Sequence, residues 1–134
     1  MVELRRDTTV LYIEDDRASM LLMRHIFRKK LPGLTLLEAS SVEEGIALAQ
    51  LHQPNLILMD IQLPDMDGFE GIGSLRSDLK TASIPVWAVS ASALDDDVQR
   101  GLEAGFQRYL KKPLGMGPFV RQIKESLNLV DCEK

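Results

Sequence analysis

The chain has 134 residues, about one domain's length, of which 45% are hydrophobic and 27% charged, a balance that excludes a disordered or fibrous protein. Sixteen basic against twenty acidic residues leave a formal charge of -4, with no basic stripe of the sort that nucleic-acid binding uses. The apolar runs are far shorter than the roughly 20 residues of a membrane span, and the lone Cys132 can close no internal disulfide, so a cytoplasmic protein without membrane insertion or direct nucleic-acid contact is expected.

Short runs rich in Val, Ile and Leu alternate with longer stretches of helical period, the pattern of βαβ units around a parallel sheet. A first strand is predicted at 9–13, then a helix at 17–30 that Asp16 caps and Pro32-Gly33 stops. A second strand at 34–38 precedes a helix that Ser41 caps and that reaches Leu51, with Glu43 and Glu44 in the first turn, where the dipole favours acids. The third strand, 55–59, is apolar throughout, as befits a central strand covered on both faces. A loop at 61–67 leads to a third helix at 68–78; then come a strand at 86–89, a helix at 93–104 ended by Gly105, and a strand at 108–110. A last helix at 117–128 carries Phe119, Val120, Ile123 and Leu127 on one face.

Five strands and five helices predict a single α/β domain over 1–134, with its core at about 8–128 and no output domain. Right-handed crossovers favour a doubly wound, flavodoxin-like parallel sheet of order 2-1-3-4-5. In that order the first and third strands are neighbours whose connections leave to opposite faces, and ligands bind in the crevice at their carboxyl ends. The polar residues that close the apolar runs converge there: Glu14-Asp15-Asp16, Asp60, Ser90 and Lys111-Lys112-Pro113.

Singly, each acid also reads as a helix cap or a turn residue. Together they read as a reactive site. Two carboxylates about 4 Å apart repel by about 4 kcal/mol at an effective dielectric near 20, so three cannot all ionise without a cation. Oxygen ligands at a partly open site suit Mg²⁺, with Mn²⁺ as the alternative. A carboxylate can accept a phosphoryl group while a metal and a lysine neutralise the transferring oxygens. Asp60, on the central strand, is the acceptor candidate, and Ser90 and Lys112 are its hydrogen-bond and electrostatic partners.

These segments cover nearly the whole chain and resemble a response-regulator receiver domain of two-component signalling. TVLYIEDD resembles the family's first strand with its acid pair, LILMDIQLPDMDG its phosphoacceptor strand and loop, IPVWAVSASA its hydroxyl strand, and AGFQRYLKKPL its aromatic and lysine-proline end. The resemblance implies that Asp60 is phosphorylated by a histidine kinase or histidine phosphotransfer protein. It further implies that Asp15 ligates Mg²⁺ directly, Glu14 through water, and Gln62 through its backbone carbonyl. Gln62 and Ser92 match positions that modulate phosphoryl lifetime, and Lys112-Pro113 matches a cis peptide. Glu14 departs from the commoner Asp, and Ser90 from the frequent Thr. The family's role is that of a phosphoacceptor, not a turnover enzyme.

Tyr109 has two readings, a core-edge aromatic or the family's switch residue, rotating inward as Ser90 closes on the phosphoryl group. Along the first helix, Leu22, Met23, Ile26 and Phe27 have core spacing, leaving Met20 and Leu21 either as scattered surface residues or as a docking patch for the phosphodonor protein. An aspartyl-phosphate phosphohydrolase is the alternative function, but its second aspartate, two residues past the nucleophile, is replaced by Gln62. Gly71-Ile72-Gly73 lies within a helix and lacks a third glycine, so it is no dinucleotide fingerprint. Asp95-Asp96-Asp97 reads as a helix-dipole complement, and His25 and His52 are isolated.

Overall fold

A computed structural model of the chain describes residues 8–61, 68–91 and 95–127, with the backbone alone at 68 and 95–97. Its elements are β1 Thr9–Ile13, α1 Arg17–Lys30, β2 Thr35–Ala39, α2 Val42–His52, β3 Leu56–Asp60, α3 Gly68–Ser77, β4 Val86–Ser90, α4 Asp95–Ala104, β5 Arg108–Lys111 and α5 Met116–Ser126. The five strands form one sheet of order β2-β1-β3-β4-β5, parallel at every pairing. The predicted topology holds. β3 and β4 run one residue further than their apolar composition suggested, so Asp60 and Ser90 are themselves paired, Asp60 opposite Val89 and Ser90 opposite Lys111.

Every residue of β3 and β4 is buried. Alternation along the strands sends Leu11, Ile13, Ile57, Met59, Val86 and Ala88 into one core with Val42, Ala49, Ile72 and Leu75 of α2 and α3. It sends Val10, Tyr12, Leu56, Leu58, Trp87 and Val89 into the other, with Met23, Ile26 and Phe27 of α1 and Phe119 and Ile123 of α5. At about 1.5–3 kcal/mol for each fully buried large apolar side chain, these two layers are the main stabilising term. Close approach of α2 to β1 depends on Gly45, where a Cβ would collide with Ile13 Cδ1.

The predicted bounds of α1 are met: Asp16 Oδ2 accepts from Ser19 N at 2.9 Å and Ser19 Oγ at 2.8 Å, and Arg28, Lys29 and Lys30 fill the last turn. Met23, Ile26 and Phe27 of the predicted core face are buried, but its fourth member is Met20 and not Leu22. Met20 is buried at 9% exposure, whereas Leu22 is 43% and Leu21 45% exposed. In a helix begun at Arg17, Met20, Met23 and Phe27 stand at i, i+3 and i+7 with Ile26 beside them, and Leu22 is two residues, about 200°, from Met20. The exposed pair on α1 is therefore Leu21 and Leu22. No helix among the described residues is long and apolar enough to cross a membrane.

Candidate functional site

β1 delivers the first acid. The Glu14 N–H donates to Ala39 O at 2.9 Å, continuing the sheet past Ile13, and the residue is 2% exposed. Its carboxylate is held from three sides: Oε1 accepts from Tyr12 OH at 2.8 Å and from Lys112 Nζ at 2.6 Å, and Oε2 accepts from Asp16 N at 3.1 Å. Asp15 is exposed at the mouth, and Asp16, as predicted, serves α1 as its cap.

β3, beside β1, brings Asp60 to the same rim at 5% exposure, where Oδ2 accepts from Lys112 Nζ at 3.2 Å. Carboxylate oxygens of Glu14, Asp15 and Asp60 all lie within 4.8 Å of one another. An all-oxygen set, partly open through Asp15, suits a small hard cation and not one that prefers thiolate or imidazole.

β4 and β5 supply the other side. Ser90 is fully buried, and its carbonyl accepts from Lys112 N at 2.8 Å, so these two residues are joined through the backbone. Lys112 turns inward, whereas Lys111 is exposed. The Lys112-Pro113 peptide is cis, as the family resemblance implied.

Electrostatics follow from this packing. Burial pushes the Glu14 carboxyl up, but hydrogen bonding with Asp60, Lys112, Tyr12 and the Asp16 N–H outweighs it and leaves it below the ordinary glutamate range. Burial disfavours the Lys112 ammonium, yet the Glu14 hydrogen bond and the Asp60 and Glu14 charges raise it above the ordinary lysine value. Burial, then the Glu14 charge and hydrogen bond, push the Tyr12 phenol well above its usual range, so it remains a donor.

The structure thus brings together Glu14, Asp15, Asp60, Ser90 and Lys112. It sets Tyr109 apart, half-buried on β5 with its ring against α4, where a Cβ on Gly101 would lie 2.7 Å from Tyr109 Cδ2. Gln62, with its backbone carbonyl, and Ser92 lie outside the described residues. Tyr12 was missed. Its signal was available, because residues two apart on a strand share a face and a tyrosine is long enough to span the gap to Glu14.

A family model for the response regulator receiver domain matches residues 10–124. The chain belongs to that family. As a receiver domain it is similar to the polar-differentiation response regulator DivK of Brucella ovis, with 36% identity over 119 residues, 89% of this chain and 95% of that protein. Among solved structures, the signal receiver domain of a DNA-binding response regulator from Colwellia psychrerythraea 34H superposes with a TM-score of 0.84 at 25% identity, covering 90% of this chain and 98% of that one. The receiver domain of a sensor histidine kinase from Pseudomonas aeruginosa PAO1, solved with a magnesium ion in its active-site cleft, shares the fold at a TM-score of 0.81 and 24% identity over 90% of this chain and 98% of that one. The receiver fold and a role in two-component signalling are thereby established.

Proposed function

We propose that this receiver domain takes a phosphoryl group from a phosphohistidine donor onto Asp60 in a Mg²⁺-dependent step, and then presents an altered surface of α4, β5 and α5. The observation that carries the reading is the position of Asp60: at the end of the central strand, 3.2 Å from Lys112 Nζ, with Glu14 and Asp15 oxygens within 4.8 Å. Glu14, Asp15 and Asp60 would hold the cation, with the Gln62 carbonyl as a further ligand. Bound Mg²⁺ would offset the repulsion among the carboxylates and withdraw charge from the phosphoryl oxygens; Mn²⁺ is the expected substitute.

In the transfer an Asp60 carboxylate oxygen attacks phosphorus as the phosphorus–nitrogen bond breaks, and the electron pair leaves with the donor imidazole, which takes up a proton. Lys112 follows the charge onto the phosphoryl oxygens, and the Ser90 hydroxyl donates to one of them. Tyr109, packed on Gly101, is the residue whose movement carries the change to α4. Gln62 and Ser92 set how long the acyl phosphate lasts. The domain supports only its own phosphorylation and dephosphorylation, so it acts as a signalling acceptor in the cytoplasm and not as an enzyme that turns over a metabolite. On α1, donor docking falls to Leu21 with Leu22, because Met20 belongs to the core.

The test is incubation with Mg²⁺ and radiolabelled acetyl phosphate or phosphorylated histidine kinases, following acid-stable, base-labile label. Label on the wild type that disappears in Asp60→Asn and with EDTA is expected. Persistence of label in Asp60→Asn would remove Asp60 from the role.

A further inference from the structure

Tyr12 belongs to two environments. Its ring is packed with Val10, Met23, Ile26 and Leu58 in the core beneath α1 and α5, and its hydroxyl leaves that core to donate to Glu14 Oε1 at 2.8 Å. Both residues are buried, at 1% and 2% exposure. We propose that Tyr12 is a positioning residue that holds the Glu14 carboxylate in the orientation from which it serves the metal, an inference that rests on the Mg²⁺ reading above.

Glu14 needs such a hold more than an aspartate would. Its extra methylene adds a rotatable bond, and a carboxylate free to swing makes a poor half of a ligand pair. Three donors restrain it: Tyr12 OH and Lys112 Nζ on Oε1, and Asp16 N on Oε2. They are not equivalent. Lys112 is a partly exposed cation, repelled by a divalent ion among the acids and attracted to phosphoryl oxygens, so its bond to Glu14 is the one that phosphorylation removes. The Asp16 N–H holds only the other oxygen, at 3.1 Å. Tyr12 is neutral and its ring is confined by the core, so its hydroxyl stays with Oε1 whichever way Lys112 points.

The length of the acid and the place of the tyrosine also match. An aspartate at position 14 would draw its carboxylate back by one methylene, beyond hydrogen-bond reach of a hydroxyl now at 2.8 Å. Tyr12 and Glu14 therefore act as a pair. Partners that orient metal ligands commonly govern affinity by about 10–100-fold.

The experiment is a Mg²⁺ titration of the full chain, read as the metal-dependent rise in melting temperature, for wild type, Tyr12→Phe, Glu14→Asp and the double variant. Tyr12→Phe is expected to weaken Mg²⁺ binding about tenfold in the wild-type background and less than about twofold beside Glu14→Asp, since the pair is already broken there. Phenylalanine keeps the ring, and urea midpoints taken in EDTA check that each variant is folded. Unchanged Mg²⁺ affinity in Tyr12→Phe, or an equal loss in both backgrounds, would overturn the positioning role and leave the metal reading standing. A wild type with no Mg²⁺ response would overturn both.

Discussion

Lys112 meets Glu14 more closely than it meets Asp60, at 2.6 Å against 3.2 Å, although Asp60 is the proposed acceptor. One ammonium from the end of β5 thus ties together acids carried by β1 and β3. Before any metal enters, this lysine is the cation that lets the acids share a buried rim.

A pH dependence follows for the metal-free protein. Hydrogen bonding holds the Glu14 carboxyl below its ordinary value of 4.5, so its stabilising contribution is complete above about pH 4.5 and is lost as pH falls through the lowered native value. Lys112 is held above 10.5, so its contribution is complete below that pH and is lost as pH rises through the raised native value. Lys112→Met removes one of the hydrogen bonds that oppose burial at Glu14, while those from Asp60, Tyr12 and the Asp16 N–H remain, so the carboxyl moves up. Urea unfolding in EDTA should show the acid limb moved to higher pH and the alkaline loss reduced; an unmoved acid limb would show that Lys112 does not hold Glu14.

Ser90 is expected to matter more for switching than for acceptance. A hydrogen bond to a charged group contributes about 1.5–3 kcal/mol, whereas moving a population from 1:99 to 99:1 takes about 5.5 kcal/mol, so in the proposed switch Ser90 would supply only part of the bias, with Lys112 and the metal supplying the rest. Ser90→Ala should lose most of the phosphorylation-induced change at α4 and β5, read by amide chemical shifts, while acquiring label at a rate within about tenfold of wild type. Full activation in Ser90→Ala would contradict the scheme.

Gly101 and Tyr109 should couple. A Cβ at Gly101 would lie 2.7 Å from Tyr109 Cδ2, so Gly101→Ala forces the ring off α4 at a cost of about 1–3 kcal/mol. Tyr109→Ala removes the obstacle, and Gly101→Ala placed on top of it should then cost far less. Additive losses in urea midpoints would mean that the ring has other room to move.

Leu21 and Leu22 should separate protein donors from small ones. At 45% and 43% exposure neither supports the core, so the double alanine variant should unfold within about 0.5 kcal/mol of wild type. Its label from acetyl phosphate should be unchanged, and its transfer from a phosphorylated kinase or phosphotransfer protein should be about tenfold slower. Equal rates from the protein donor would remove α1 from docking.

Much of this was legible in the residues, for identifiable reasons. A strand buried on both faces must be apolar until it reaches solvent, so the runs ending at Glu14, Asp60, Ser90 and Lys112 marked both the strands and the rim where they close. Asp16 marked the start of α1 because capping is local chemistry. Met23, Ile26 and Phe27 were legible as the core face of α1, but Met20 and Leu22 were exchanged because Met20-Leu21-Leu22-Met23 is apolar at four successive positions and carries no helical phase; only packing against the sheet chooses Met20 over Leu22. The Lys112–Glu14 contact was also out of reach, since three acids competing for one lysine are ranked by distances that spacing does not contain.

Because all strands are parallel, the proposed chemistry stands at one end of the sheet and the returning turns lie at the other. Leu79, 97% exposed, and Lys80 form the tip of one such turn, between α3 and β4. The turn is exposed at its tip and tied at its base, where Asp78 Oδ1 accepts from Lys80 N at 2.9 Å and Asp78 O accepts from Thr81 N at 3.0 Å, so inserted residues would open those bonds at the end of the sheet away from the chemistry. A fluorescent or affinity module inserted between Leu79 and Lys80 should leave Mg²⁺-dependent labelling of Asp60 within about twofold of the parent, as exposed turns commonly accept insertions. The module would then ride at the end of the sheet opposite the proposed acceptor.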